Sequence, residues 1–176
     1  MRQARDYFEF ERNISNWRYK MLPLKKILLP TDFSEPSYEA LKIAKEMAMH
    51  FSAELVFMHV IPTLPPFAPP PKNKPGFNIS AYVKNLHSSA EKSLQEVIDK
   101  KIGNKLKAHI SVAHGDVAEK VARHAHMEDI DLIIIASHGT TGWKKAFLGS
   151  VAEKLVRIST IPTLIIRKPL EKNKQK

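Results

Sequence analysis

No cysteine occurs in the 176 residues, which excludes disulfides, thiolate nucleophiles and cysteine-ligated metals. A chain without thiols suits a reducing cytoplasm, the compartment expected here. Long apolar runs are also missing: none approaches the roughly 18 residues a membrane-spanning helix needs, so no membrane association is expected. The first residues alternate charges with aromatics and lack the continuous apolar stretch of an export signal. There is no Gly-x-Ser-x-Gly elbow, no Gly-Lys-Ser/Thr sequence and no evident nucleophile paired with a base, so no catalytic residue is assigned.

Acidic residues are comparatively few, 18 against 28 Lys and Arg, leaving a formal net charge of +10. Half of that excess sits at the ends: residues 1 to 20 carry five basic and three acidic side chains, and residues 168 to 176 carry four and one. The remaining charges are spread along the chain, the pattern of a solvated surface, and no array of exposed aromatics accompanies them for stacking bases. Nucleic acid is therefore not expected as a partner.

The length suits one compact domain with ragged ends. Residues 1 to 20, with Tyr7, Phe8, Phe10, Trp17 and Tyr19 among charges, read as an N-terminal extension, residues 21 to 168 as the domain, and residues 169 to 176 as a basic tail. Lys25 to Pro30 is a wholly apolar short strand ending in Thr31-Asp32-Phe33-Ser34. Ser34 or Glu35 then opens a helix with Pro36 in its first turn, and Leu41, Ala44, Ala48 and Phe51 form its buried stripe. Glu54 to Val60 is a second strand. Ile61 to Pro75 holds most of the twelve prolines and should be irregular. A helix resumes near Ser80, with Leu86, Ala90, Leu94, Val97 and Ile98 on one face, and stops at Gly103. Ala108 to Ala113 alternates as a strand near an edge does. Asp116 caps a short helix that turns Val117, Val121 and Ala125 inward.

The most informative stretch is Asp131-Leu132-Ile133-Ile134-Ile135-Ala136-Ser137-His138-Gly139, followed after nine residues by Gly149-Ser150-Val151. A buried strand runs into a small-residue loop and re-enters a helix, from about Gly149 to Ser159, at a Gly-Ser pair. Backbone N–H groups without helical partners converge at such a terminus, and the helix dipole adds partial positive charge, so an anion is stabilised there. Thr163 to Ile166 makes a fifth strand. Five apolar strands alternating with four helices imply a doubly wound, open, parallel sheet with helices on both faces. In the order 3-2-1-4-5, the ends of strands one and four meet at the switch point, where such sheets take ligands.

With these residues in view, the chain resembles the universal stress proteins of the UspA superfamily over residues 24 to 167, including Lys25-Lys26-Ile27-Leu28-Leu29-Pro30-Thr31-Asp32-Phe33-Ser34. The nucleotide-binding branch carries glycine, two residues, glycine, nine residues, then glycine and Ser or Thr. The matching positions are Ala136, Gly139, Gly149 and Ser150, so alanine replaces the first glycine. The resemblance implies an ATP site. Asp32 would contact the ribose or adenine, with Pro30 and Thr31 shaping the same edge and His138 in the adjoining loop. Val60 would pack on the base and Ile135 on its other side, while Gly139, Gly149, Ser150 and Val151 hold the phosphates. Magnesium would bridge the phosphates rather than occupy a protein cage. The fifth strand would pair with its twin in a homodimer. The role implied is stress response, as a nucleotide-dependent sensor or a module that binds an unidentified protein partner, with at most slow ATP hydrolysis. The alternatives are a nucleotide-free dimeric interaction module, suggested by Ala136, and a weak ATPase.

Each feature also has a plainer reading. Asp32 can cap the first helix, and Gly139 and Gly142 can be turn residues. If the backbone at position 136 needs positive φ, or approaches the ligand too closely for a Cβ, alanine bends the loop or blocks the nucleotide; with strand dihedrals it costs little. Lys144 and Lys145 are candidate phosphate contacts, and Trp143 and Phe147 candidate covers for a ligand. His59, His114 and His138 lie near strand ends, whereas His124 and His126 point to different helix faces; no zinc site is expected.

Overall fold

The computed structural model describes residues 22–63, 79–139 and 148–167. Five strands, β1 (Lys26–Pro30), β2 (Glu54–Ile61), β3 (Ala108–His114), β4 (Leu132–Ala136) and β5 (Thr163–Ile166), alternate with four helices, α1 (Glu35–Phe51), α2 (Ile79–Val97), α3 (Val117–Met127) and α4 (Ser150–Ile158). All four strand pairings are parallel and the sheet order is β3-β2-β1-β4-β5. The central register sets Leu28 beside both Val56 and Ile133. The expected doubly wound sheet and its strand order are both present.

Side chains alternate across the pleat, so each strand feeds two cores. Ile27, Leu29, Leu55, Phe57, Leu132, Ile134 and Ala136 pack with Ala40, Leu41, Ala44 and Ala48 of α1 and with Leu94 and Val97 of α2. Leu28, Val56, Met58, Val60, Ile133 and Ile135 pack on the opposite face with Ala118, Val121 and Ala125 of α3 and with Ala152 and Leu155 of α4. Burial on both faces explains why β1, β2 and β4 read as unbroken apolar runs. Each fully buried Leu, Ile or Phe contributes roughly 1.5–3 kcal/mol, so this central trio of strands dominates the stability.

Three details differ from the sequence reading. Phe51, placed in the buried stripe of α1, is only half-buried, and Ala40 takes a core position instead. The helix expected to stop at Gly103 is α-helical only to Val97; Ile98–Ile102 continues as a wider π turn and Gly103–Lys105 as a 3-10 turn. Ile98 and Ile102 remain core residues through this change, so apolar spacing alone did not reveal it. Gly103, at φ 60 and ψ −150, adopts a conformation essentially reserved for glycine. Val117 is half-buried, leaving Ala118 with Val121 and Ala125 as the buried face of α3.

The first and last strands are both at positions that matter. β1 and β4 adjoin at the centre, so their carboxyl ends open on one crevice. β5 forms one sheet edge, with Leu164 36% exposed. Among the described residues no helix is long and apolar enough to cross a membrane.

Candidate functional site

The end of β1 is fixed before any ligand is considered. Thr31 N–H donates to the Met58 carbonyl at 2.8 Å, and the buried Thr31 and Ser37 hydroxyls meet at 3.0 Å. Phe33, at φ 62, donates its N–H to Thr31 Oγ1 at 3.0 Å. Asp32 Oδ1 accepts from both the N–H and the hydroxyl of Ser34. Ser34 in turn caps α1 by accepting from Ser37 N–H, so the cap is Ser34 and Asp32 orients it from outside the helix. His59 Nδ1 lies 2.8 Å from the Thr31 carbonyl; a carbonyl only accepts, so this nitrogen carries the proton. The His59 ring lies against Phe33, tilted by 35° with centroids 4.8 Å apart.

The end of β4 settles the backbone conformation of Ala136. That residue is the last of the strand, paired with Ile166. The non-glycine residues with positive φ among those described are Phe33, Ser52 and Asp129, so Ala136 keeps a backbone that L residues adopt freely. Its methyl packs with Leu29 and Ala40 on the α1 side of the sheet, and alanine is accommodated without strain.

Gly139 and Gly149 both sit at close approaches. A methyl on Gly139 would fall 2.2 Å from Asp32 Oδ2, and one on Gly149 would fall 3.0 Å from the Ser137 carbonyl oxygen and 3.4 Å from His138 Cα. The two loop segments are joined directly: Gly149 N–H donates to Ser137 O at 2.7 Å, and Ser137 N–H to Ile166 O at 2.8 Å. Glycine at these positions therefore lets the β1 loop, the β4 loop and the start of α4 meet without side chains between them.

What converges there is the amino terminus of α4. Gly149 is its N-cap, with no side-chain hydrogen bond, whereas α1 and α3 begin under the oxygens of Ser34 and Asp116. The first intrahelical donor is Glu153 N–H, to Gly149 O at 2.9 Å. The N–H groups of Ser150, Val151 and Ala152 precede it and have no acceptor within the helix. Together with the helix dipole they present partial positive charge to the crevice.

A cleft of about 370 Å³ lies over these groups, a size suited to small-molecule recognition. Its wall contains Pro30, Thr31, Asp32, Val60, Ile135, Ala136, His138, Gly139, Gly149, Ser150 and Val151, so all the positions that the family resemblance assigned to the nucleotide are brought to one place. Val60 and Ile135 belong to the same apolar cluster. Both lie on the α3 and α4 side of the sheet, at the ends of the two strands that flank β1. Sequence reasoning missed Ser37, Val117, Ser137 and Ala152 as site residues and did not assign His59, though all line the cleft. Ser137 and Ala152 adjoin motif residues, a signal that was available. Ser37 is hidden inside a helix pattern. His138 Nδ1 sits 3.0 Å from Ser137 Oγ. Gly142, Trp143, Lys144, Lys145 and Phe147 lie outside the described residues.

Among the described residues no cluster of three or more His, Asp or Glu is arranged to hold a metal ion. His126 is exposed, and His124 is half-buried with an Nε2 that has no hydrogen-bond partner. Burial holds the His124 pKa below its usual value.

A doubly wound parallel sheet whose switch-point cleft ends on an uncapped helix terminus defines a class: an α/β protein of nucleotide-binding architecture. The chain belongs to the universal stress protein family, whose sequence profile matches residues 23–167. It is 32% identical over 145 residues to the universal stress protein MJ0531 of Methanocaldococcus jannaschii, covering 82% of this chain and 83% of the relative. It is 33% identical over 161 residues to MJ0577 of the same organism, covering 82% and 95%. The solved structure of MJ0577 superposes with a TM-score of 0.67 at 30% identity, over 84% of this chain and 99% of that one. A universal stress protein from Archaeoglobus fulgidus, solved in complex with dAMP, shares the fold at a TM-score of 0.50 and 15% identity, over 81% and 97%.

Proposed function

We propose that this protein is a cytoplasmic stress-response protein that binds ATP between the ends of β1 and β4 and signals its nucleotide state to a protein partner. The observation that carries the reading is the meeting of an uncapped α4 terminus with an apolar floor in one cleft. The floor suits a planar base on Val60 and Ile135. The amides of Ser150 and Val151, with the Ser150 hydroxyl, suit phosphate oxygens. Asp32 stands at the cleft edge where a ribose hydroxyl would donate to a carboxylate. Ala136 lines the cleft with strand geometry and packs its side chain into the cluster on the α1 side, which suits a nucleotide site without a glycine there. The dAMP complex of a fold neighbour agrees in ligand chemistry. Magnesium would be held chiefly by the phosphates, since no acidic cluster is available among the described residues.

In this reading β5 pairs with its copy to form a homodimer. Ile133 N–H and Ser137 N–H donate to Pro162 O and Ile166 O. Strand groups alternate in direction, so the backbone groups of Thr163 and Ile165 face outward at the edge. An apolar edge in this state invites pairing.

The test is mass spectrometry of small molecules released from freshly purified protein by denaturation, together with calorimetric titration of ATP and magnesium into the emptied protein. Co-purified ATP or saturable binding is expected. No nucleotide by either route would overturn the ATP reading and leave a nucleotide-free dimeric module. Phosphate release well above that of an Asp32→Ala variant would instead establish an ATPase.

A further inference from the structure

The cleft does not end at the first turn of α4. It continues into a second hollow of about 280 Å³, which shares Pro62, Val117, Ser150 and Val151 with the first and is closed by Gly115, Asp116 and Lys154. Among the described residues lining the two hollows, Lys154 is the sole Lys or Arg.

Ser150 and Lys154 stand four apart on α4 and so share a face. Helical side chains lean toward the amino terminus, which directs the Lys154 stem back toward the first turn. Its ammonium is engaged by two carboxylates of α3, Asp116 at 3.0 Å and Glu119 at 2.8 Å. Asp116 is also the N-cap of α3, accepting from Glu119 N–H at 3.0 Å. One lysine of the second turn of α4 thus latches that helix to the first turn of α3 at the rim of the cleft. Lys154 and both of its partners are substantially solvent-exposed, so the ion pairs are individually weak and exchangeable.

We propose that Lys154 reads the length of the phosphate chain. This rests on the nucleotide reading above and deepens it. The α4 terminus suffices for one phosphate; the second and third extend into the hollow beside Lys154. A polyphosphate there outcompetes the two carboxylates for the ammonium because it concentrates more negative charge on more acceptor oxygens. Lys154 leaves Asp116 and Glu119, and the α3–α4 latch opens only for the di- and triphosphate. The nucleotide state is thereby converted into a change at the rim that a partner can sense.

The experiment titrates AMP, ADP and ATP, each with magnesium, into the full-length wild type, Lys154→Gln and Glu119→Gln, with thermal melts of all three. Lys154→Gln should bind AMP within about twofold of wild type and ATP roughly tenfold more weakly. Glu119→Gln, which frees Lys154 from one competitor, should bind ATP several-fold more tightly and AMP as before. Equal losses for AMP and ATP in Lys154→Gln would show a merely structural latch and overturn the proposal. So would unchanged ATP affinity, or weaker ATP binding by Glu119→Gln. Wild type binding none of the three would overturn the nucleotide reading itself, an outcome separate from the others.

Discussion

Ser150→Asp separates the stability of α4 from the binding capacity of its terminus. Ser150 is the first helical residue after the Gly149 cap and is exposed, so a longer side chain displaces nothing from the core. A carboxylate there interacts favourably with the helix dipole and should stabilise the empty protein by about 0.3–1 kcal/mol. The same carboxylate stands where the phosphates would be. Two like charges about 5 Å apart, at an effective dielectric constant near 20, repel by about 3 kcal/mol. That corresponds to roughly a hundredfold loss of affinity for each phosphate charge so placed. The two effects have opposite sign, so lost binding cannot be blamed on lost folding. Ser150→Ala is the control: it removes one hydroxyl donor and should weaken ATP by about 0.5–1.5 kcal/mol. The assays are calorimetric titration of ATP and the thermal midpoint of the empty protein. A folded Ser150→Asp protein that binds ATP within threefold of wild type would refute a phosphate site at the α4 terminus.

Four further outcomes are expected. Gly139→Ala drives a methyl against Asp32 Oδ2 and should cost about 1–3 kcal/mol in urea melts; in an Asp32→Ala background most of that cost should vanish, and simple additivity would refute the contact. Ala136→Gly should leave ATP affinity unchanged while losing about 0.5–1 kcal/mol of stability, since Ala136 is a strand residue; a marked gain in affinity would show that its methyl obstructs the nucleotide. Burial depresses the His124 pKa, so its neutral form is favoured by folding. Its contribution is full above the unfolded value of about 6.5 and is lost as pH falls toward the folded value; His124→Leu should reduce that acid-side loss in melts run from pH 8 to pH 5. Ile165→Pro removes a backbone donor that faces the sheet edge rather than β4, so sedimentation should show a monomer with the fold retained.

The sheet was legible because its signal is redundant. Ile27 to Leu29 and Leu132 to Ile135 are buried on both faces, and a run of that kind in a short segment has few other uses. The caps at Ser34 and Asp116 were equally readable, since each side-chain oxygen sits three residues before the N–H it satisfies. The π turn at Ile98–Ile102 was not, because the same residues stay buried with or without it. The cleft was legible as a set of positions and less so as a shape. Alternation puts Val60 and Ile135 on one face, yet which edge of a ligand they meet depends on β1 lying between their strands. Lys154 was invisible as a site residue, since its position follows from the packing of α3 on α4.

The motif glycines deserve a different account from the one their spacing suggests. Neither Gly139 nor Gly149 has a positive φ, so neither is needed for a backbone turn that other residues refuse. Gly139 is confined by Asp32, and Gly149 by the Ser137 carbonyl. The same close packing consequently shapes the proposed phosphate site. The α4 amides reach the crevice because Gly149 N–H is bonded to the end of β4, and a side chain at that junction would hold the helix away. The first motif position carries no such constraint: Ala136 ends a strand with its methyl turned to the α1 core. Tolerance should therefore run in one order along the motif, with alanine accepted at 136 and resisted at 139 and 149. A methyl at 149 meets backbone, which cannot swing aside, whereas a methyl at 139 meets a carboxylate that can rotate if it gives up Ser34. Gly149→Ala should thus be the more damaging of the two to the α4 terminus, and Gly139→Ala the one whose effect is erased by removing Asp32.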